Sequence, residues 1–347
     1  MAPKALTYKE AGVDIDVANE FVRRIKPLIK KTERPEVLSS IGHFAGLFAL
    51  NKEQYREPIL VASTDGVGTK VKLAVEWGRL SGIGQDLVAM SANDILCLGA
   101  EPLFFLDYFA TGKLDLSTAT AVLEGIARSC QSIHCSLLGG ETSEMPKIYR
   151  GEDFDLAGFM VGIVEKEKII DGSKIKPGDK LVGIASSGPH ANGFALIRQI
   201  LHDRKLVADK IYPPLTRPLA DLLLEPTRLY VNLVRKLCRQ FPIQGIAHIT
   251  GGGLLENLPR IFPEDCRGLI YRRTWTRPPL FEVIQKWGHV AEEEMERVFN
   301  CGIGMVLVVP SESSTALMSE LQKADEPAWI IGEIVARKKE NAPLEIL

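Results

Sequence analysis

The sequence predicts two domains of mixed α/β (α+β) architecture. Three observations carry that expectation. At 347 residues the chain is longer than one ordinary hydrophobic core supports. Strand-like apolar runs and apolar patterns at helical spacing interleave in both halves. Between the halves, the phrase DGSKIKPGDKLVGIASSG is punctuated by Gly172, Pro177 and Gly178, which places a boundary near residue 171. The domains are therefore read as 1–170 and 171–347.

The elements follow in order. Apolar residues at helical spacing fill 14–31, where Pro27 interrupts the pattern. Strand-like runs lie at 59–64, 103–109, 135–138 and 155–164, and helical patterns at 85–98 and 117–133. Gly99 and Pro102 end the first of these helices. The run 103–109 is too rich in Phe and Leu for a free edge strand. In the second half a strand starts at Lys180, and helices are expected over 191–203 and 218–241. A strand at 245–250 leads through glycines into a helix after Gly253, and strands near 303–309 and 328–335 close the chain.

Composition excludes several classes. Hydrophobic residues make up 46% and charged residues 25%, the balance of a soluble globular protein. A net charge of −2 gives no case for non-specific nucleic-acid binding. No run approaches the ~18 apolar residues of a membrane span, and MAPKALTYKE lacks the apolar core of a signal peptide. The six cysteines, at 97, 130, 135, 238, 266 and 301, form no CxxC pair. Reduced thiols in a cytoplasmic-type compartment fit that pattern. Cys130, His134 and Cys135 have no second ligand pair, so core packing is preferred to zinc, and Cys301 is read as buried in a strand.

The chemistry starts at STDGVGTK, residues 63–70. It fails the Walker A spacing and lacks the third glycine of a dinucleotide fingerprint. Phosphate chemistry still suits it. Gly66 and Gly68 let the backbone approach an oxyanion, Lys70 can neutralise it, and Asp65 makes sense if Mg²⁺ lies between. A tight turn with solvated ends is the equal alternative. Other acids favour the metal: Asp86 and Asp94 share a helix with Asn93, Glu141 follows Gly139-Gly140, and Asp153 and Asp155 open a strand. The alternative for the helix is a solvated polar face. In the second half SSGPHANGF (186–194) and HITGGG (248–253) each lead a strand through a turn into a helix, whose free N–H groups would receive a phosphate. His190 and Asn192 stand in the first turn.

Ten segments, in this order, resemble the phosphoribosylformylglycinamidine cyclo-ligase (aminoimidazole ribonucleotide synthetase) family. They are YKEAGVDI, STDGVGTK, SANDIL, GAEPLFFLDYFATGKL, LLGGETSEMP, DLAGFMVG, SSGPHANGF, LEPTRLYV, HITGGG and FNCGIGM. The resemblance runs from Tyr8 to about Gly304. It implies two α/β domains whose N-terminal strands form a barrel across a homodimer. It also implies the fifth step of de novo purine synthesis, in which ATP and formylglycinamidine ribonucleotide give aminoimidazole ribonucleotide, ADP and phosphate through an iminophosphate.

The same resemblance implies roles. Asp65, Asp94 and Glu141 would hold Mg²⁺, itself bound to ATP. Gly66, Gly68, Thr69 and Lys70 would cradle the ATP phosphates, and the motif from Tyr8 to Gly12 would cover the nucleotide. Ser187, Gly188, His190, Asn192 and His248, with Thr250, Gly251, Gly252 and Gly253, would face the substrate or its 5′-phosphate. His190, His248, Lys70 and Asn192 are the catalytic candidates, and Asp107 and Asp155 are further acids of interest. Rival readings are a selenophosphate synthetase, a thiamine-monophosphate kinase and a non-catalytic nucleotide-binding scaffold. The first uses an N-terminal Cys or selenocysteine, and here no Cys precedes Cys97. The second lacks SGPHANGF and HITGGG as they stand here, and the third should have lost some of these residues.

Overall fold

The computed structural model describes residues 6–39, 41–51, 53–151 and 153–347. The chain divides into two compact units. The first comprises Met1–Ser91 and Pro102–Ile163, the second Ala92–Glu101 and Val164–Leu347.

In the first unit α1 (Ile15–Lys30) is capped by Asp14, whose side chain accepts from the N–H groups of Asp16 and Val17. The helix continues through Pro27, against the expected interruption. Its buried stripe of Phe21, Ile25 and Ile29 spans the proline, and that packing outweighs the hydrogen bond lost there. Then come β1 (Pro58–Gly66), α2 (Lys70–Glu76), α3 (Ile83–Leu96), β2 (Glu101–Thr111), α4 (Leu116–Ser132), β3 (Ser136–Glu144) and β4 (Phe154–Glu165). The strands order as β1-β4-β2-β3, with β2 and β3 parallel. The Phe- and Leu-rich run is thus an interior strand, and the sheet's edges are β1 and β3. Its apolarity serves two faces. Leu103, Phe105 and Phe109 are buried, and a Cβ on Gly158 of β4 would meet the Phe105 ring at 2.4 Å and Leu87 of α3 at 3.1 Å. On the other alternation Phe104, Leu106 and Tyr108 are partly exposed, while Leu60 of β1 and Phe159 of β4 are exposed.

α3 is buried nearly all round, which removes the solvated-face reading: Asp86, Ser91 and Asn93 are all inaccessible. Cys130 and Cys135 are buried, with Cys135 Sγ 3.5 Å from Met160 Sδ, while His134 is exposed.

The second unit holds β5 (Lys180–Ala185), α5 (Phe194–Asp203), α6 (Leu219–Leu223), α7 (Val231–Gln240), β6 (Gly245–His248) and α8 (Gly253–Asn257). After these come β7 (Cys266–Ile270), α9 (Pro279–Gly288), α10 (Glu292–Val298), β8 (Ile303–Val309), α11 (Ser311–Lys323), β9 (Ala328–Ala336) and β10 (Leu344–Ile346). They build a six-stranded sheet, β10-β7-β9-β5-β8-β6, antiparallel except for the β10–β7 pair. Its core packs Leu181, Ile249, Leu258, Ile303, Val306 and Ile331. The expected helix over 218–241 breaks between α6 and α7, because Pro226 turns Glu225 away from the helical region. Cys301 is buried as expected, but in the turn before β8, with φ +47°.

Candidate active site

In the first unit, β1 delivers its last residues to a turn that opens α2. This turn borders a cavity of about 290 Å³ lined by Gly68, Thr69, Lys72, Tyr149, Asp153 and Asp155. Lys72 pairs with Asp153, and Asp155 Oδ1 accepts the N–H of Leu156 at 2.9 Å. Lys70 lies one helical step away. Its side chain is fully buried, with Nζ 2.9 Å from Asp86 Oδ1, so the lysine that lines the cavity is Lys72. Asp65 Oδ1 accepts the N–H of Gly66 at 2.7 Å, and a Cβ on Gly66 would stand 3.0 Å from Leu156 O.

The N-terminal motif forms a turn in which Val13 N–H donates to Tyr8 O at 3.1 Å. Gly12 sits against Pro146, and Asp14 N–H donates to Glu144 Oε2 at 2.8 Å. This docks the motif three residues from Tyr149, with the Tyr8 ring exposed. Glu141 is exposed on β3 and accepts from Ser143 Oγ at 3.1 Å. Asp65 and Glu141 occupy the two edge strands, three strand spacings or about 14 Å apart. Among the described residues no three of His, Cys, Asp and Glu come together as a metal cage.

In the second unit, the last turns of α3 and the ends of β5, β6 and β8 bring together Asn93, Asp94, His190, Tyr230 and His248. His248 Nδ1 lies 2.9 Å from Asp94 Oδ1. The His248 side chain is 2% exposed and that of Asp94 is 40%. The His190 ring centroid is 6.4 Å from that of His248 and 6.2 Å from that of Tyr230. His190 is fully buried at φ +59°, and its Nε2 accepts the N–H of Ser187 at 3.3 Å. That bond closes the turn, so Nε2 presents a lone pair inward to the backbone. Tyr230 OH donates to Ala185 O at 2.7 Å, and burial pushes its phenol well above the usual range, so it stays a donor. No side chain fits at Gly304, where a Cβ would come within 2.1 Å of Tyr230 OH and 2.6 Å of His190 Cε1.

The two turns singled out in the sequence meet here. Ser187 Oγ donates to Pro226 O at 2.6 Å, and Gly188 O accepts from Asn300 Nδ2 at 2.8 Å. Asn192 Oδ1 is 3.5 Å from where a Cβ on Gly251 would be, and its Nδ2 is buried with no acceptor among the described residues. Asn257 Nδ2 holds Gly251 O at 3.2 Å and Gly253 O at 2.8 Å, and its Oδ1 is 3.4 Å from Thr250 Oγ1. Gly253 must be glycine: φ is +57°, and a Cβ would stand 1.9 Å from Glu296 O.

Sequence reasoning passed over Asn93, Tyr230, Lys72 and Tyr149 as site residues, and also Arg228, whose carbonyl accepts from Asn93 Nδ2 at 2.8 Å. Asn93 was visible only as the neighbour of Asp94. Arg228 and Tyr230 stood inside LEPTRLYV without a stated role.

Residues 46–164 match the AIR synthase related protein, N-terminal domain, and residues 176–345 match the C-terminal domain. The two matches define the class, an AIR synthase related enzyme with two α/β domains. The phosphoribosylformylglycinamidine cyclo-ligase of Geotalea uraniireducens (strain Rf4) is 52% identical over 335 residues, covering 96% of each chain. The chain belongs to the phosphoribosylformylglycinamidine cyclo-ligase family. Its fold is shared more widely. Thiamine-monophosphate kinase from Stenotrophomonas maltophilia K279a superposes with a TM-score of 0.69 at 18% identity, covering 93% of this chain and 95% of that one. Hydrogenase maturation protein HypE in complex with ATP superposes with a TM-score of 0.68 at 15% identity, covering 93% and 91%.

Proposed function

We propose that this protein is an ATP-dependent ring-forming ligase of purine biosynthesis, converting formylglycinamidine ribonucleotide to 5-aminoimidazole ribonucleotide, ADP and phosphate. The 52% identity over 96% of both chains to a cyclo-ligase carries the reading. Likeness to the kinase and to HypE is at the level of fold, so it favours neither a kinase nor a scaffold.

The chemistry needs a leaving group made from an amide oxygen. The formyl oxygen attacks the γ-phosphorus, ADP departs, and the amidine nitrogen then attacks the formyl carbon as phosphate leaves. Such a transfer depends on positioning and charge neutralisation. We assign the ATP phosphates to the turn of Gly66, Gly68 and Thr69, with Lys72 on the cavity wall and Lys70 in support from its pair with Asp86. The docked motif from Tyr8 to Gly12 would close over the nucleotide. Carboxylates suit Mg²⁺, a hard cation that would offset phosphate charge. Asp94 would hold one ion, and Asp65 and Glu141 would serve separate ions or complete a shell with a partner sheet. Asn192, with its buried donor, and the glycines at 251–253 would receive the substrate's 5′-phosphate, which supplies the missing acceptor. His248 would orient Asp94, and His190 would act through the turn it closes with Ser187 and Gly188.

Incubation with ATP and formylglycinamidine ribonucleotide tests the reading. The expected products are aminoimidazole ribonucleotide, ADP and phosphate in equal amounts. ATP consumption without ring closure would overturn it.

Asp94→Asn is expected to lower Mg²⁺-dependent turnover about a hundredfold and to raise the Mg²⁺ needed for half-maximal rate. A Mg²⁺ titration of turnover checks this. An unchanged dependence removes Asp94 from the metal.

We also propose a homodimer with the N-terminal sheets joined into a barrel. It is supported by the exposed apolar residues Leu60 and Phe159 on one sheet face and by the two edges, β1 and β3, that the sheet keeps among the described residues. Light scattering at micromolar concentration should give twice the chain mass of 38.3 kDa. A monomer there would sink the proposal. Six unpaired cysteines support a reducing, cytoplasmic setting.

A further inference from the structure

Asn93 is inaccessible in the last turns of α3. Its Oδ1 accepts the N–H of Tyr230 at 3.0 Å, and its Nδ2 donates to the carbonyl of Arg228 at 2.8 Å. A backbone N–H only donates and a carbonyl only accepts, so these two bonds settle which end of the amide is which. The same Nδ2 lies 3.4 Å from His248 Nε2. An amide N–H cannot accept, so Nε2 must offer its lone pair there. The ring proton then belongs on Nδ1, 2.9 Å from Asp94 Oδ1.

We infer that Asn93 is a positioning residue. It fixes His248 in the tautomer with the proton on Nδ1, so that the ring donates to Asp94 and holds that carboxylate by one oxygen. The chain of control runs from Tyr230 N–H through the Asn93 amide and the imidazole to Asp94. It starts on backbone atoms and ends on a side chain that is 40% exposed. With the proton on Nε2 instead, two donors would face each other at 3.4 Å, and two acceptors at 2.9 Å. Each mismatch costs the desolvation of a buried polar group. The His190 ring, its centroid 6.4 Å away, uses its Nε2 to accept Ser187 N–H. The consequence for turnover rests on the cyclo-ligase reading; the tautomer does not.

The test is the nitrogen spectrum of the ring in histidine-labelled full-length protein at neutral pH. The chain has six histidines, and the signals lost in His248→Gln identify the one of interest. In the wild type, Nδ1 should carry the proton and Nε2 should be bare. In Asn93→Asp the new carboxylate cannot donate, and Nε2 should gain a proton. Turnover in that variant should fall about tenfold to a hundredfold, as for other groups that orient a functional residue. A wild-type ring with its proton on Nε2 overturns the inference, and so does an Nε2 signal unmoved in folded Asn93→Asp. If the variant does not fold, the wild-type spectrum alone decides. If ring closure is not the activity, the spectrum still decides.

Discussion

Replacing Lys70 by methionine is expected to destabilise the protein by about 3–5 kcal/mol. The Lys70 ammonium and the Asp86 carboxylate are both fully buried, 2.9 Å apart, between α2 and α3. Removing the cation leaves Asp86 without that counter-charge in a site water does not reach, and this is the costly way to break a buried pair. Methionine keeps most of the volume, so the loss reports charge rather than a cavity. The double replacement Lys70→Met with Asp86→Leu should recover the larger part, because neither ion then remains to be solvated. Urea unfolding of the two variants beside the wild type measures both effects. A lysine committed to the ATP phosphates predicts the opposite pattern: near wild-type stability and weakened nucleotide binding. That outcome would return Lys70 to the phosphates.

This pair also shows where sequence reading stops. STDGVGTK announced a lysine after two glycines, but a lysine aimed at a ligand and a lysine buried on an aspartate have the same text. What separates them is α3, which is buried nearly all round and so brings Asp86 in contact with Lys70 rather than with water. The elements with strong periodicity were legible: α1, α4, β4, β5 and β8 lie where apolar spacing put them. The short helix α2 and strand β7 were not, because a run of five to seven residues carries too few periods to distinguish a strand from a turn of helix. The break between α6 and α7 was legible in principle, since Pro226 stands in the text; the apolar pattern on either side masked it. In the second unit the turns of Ser187, His190 and Asn192 and of Thr250 to Gly253 were found from their glycines. Much of their support was not, because Asn300 reaches Gly188 and Tyr230 reaches Ala185, at the foot of the first turn, from distant parts of the chain.

Asp107→Asn is expected to remove a pH dependence of stability that the wild type shows below neutrality. Asp107 lies on the buried alternation of β2, with Phe105 and Phe109, and burial pushes its carboxyl up to about 7. Its Oδ1 stands 2.3 Å from where a Cβ on Gly140 would be, so the carboxyl fills the space a larger residue on β3 would need. In the unfolded chain an aspartate titrates near ~3.9. From pH ~4 to ~7 the folded state therefore holds a proton that the unfolded state has lost. Stability from this group is complete below the unfolded value, falls as pH rises through that window, and levels off above the folded value of about 7. The total is on the order of 4 kcal/mol, at ~1.4 kcal/mol per pH unit. Asparagine keeps the shape and has no charge to bury, so the variant should lack this decline and be the more stable protein above neutrality. Urea midpoints from about pH 5 to about pH 9 on both proteins check it. Parallel profiles in the two would show that Asp107 is ionised and accommodated in the fold. An Asp107→Asn protein with a flat profile and lost turnover would show instead that the fold tolerates this carboxyl at a cost because the reaction needs it.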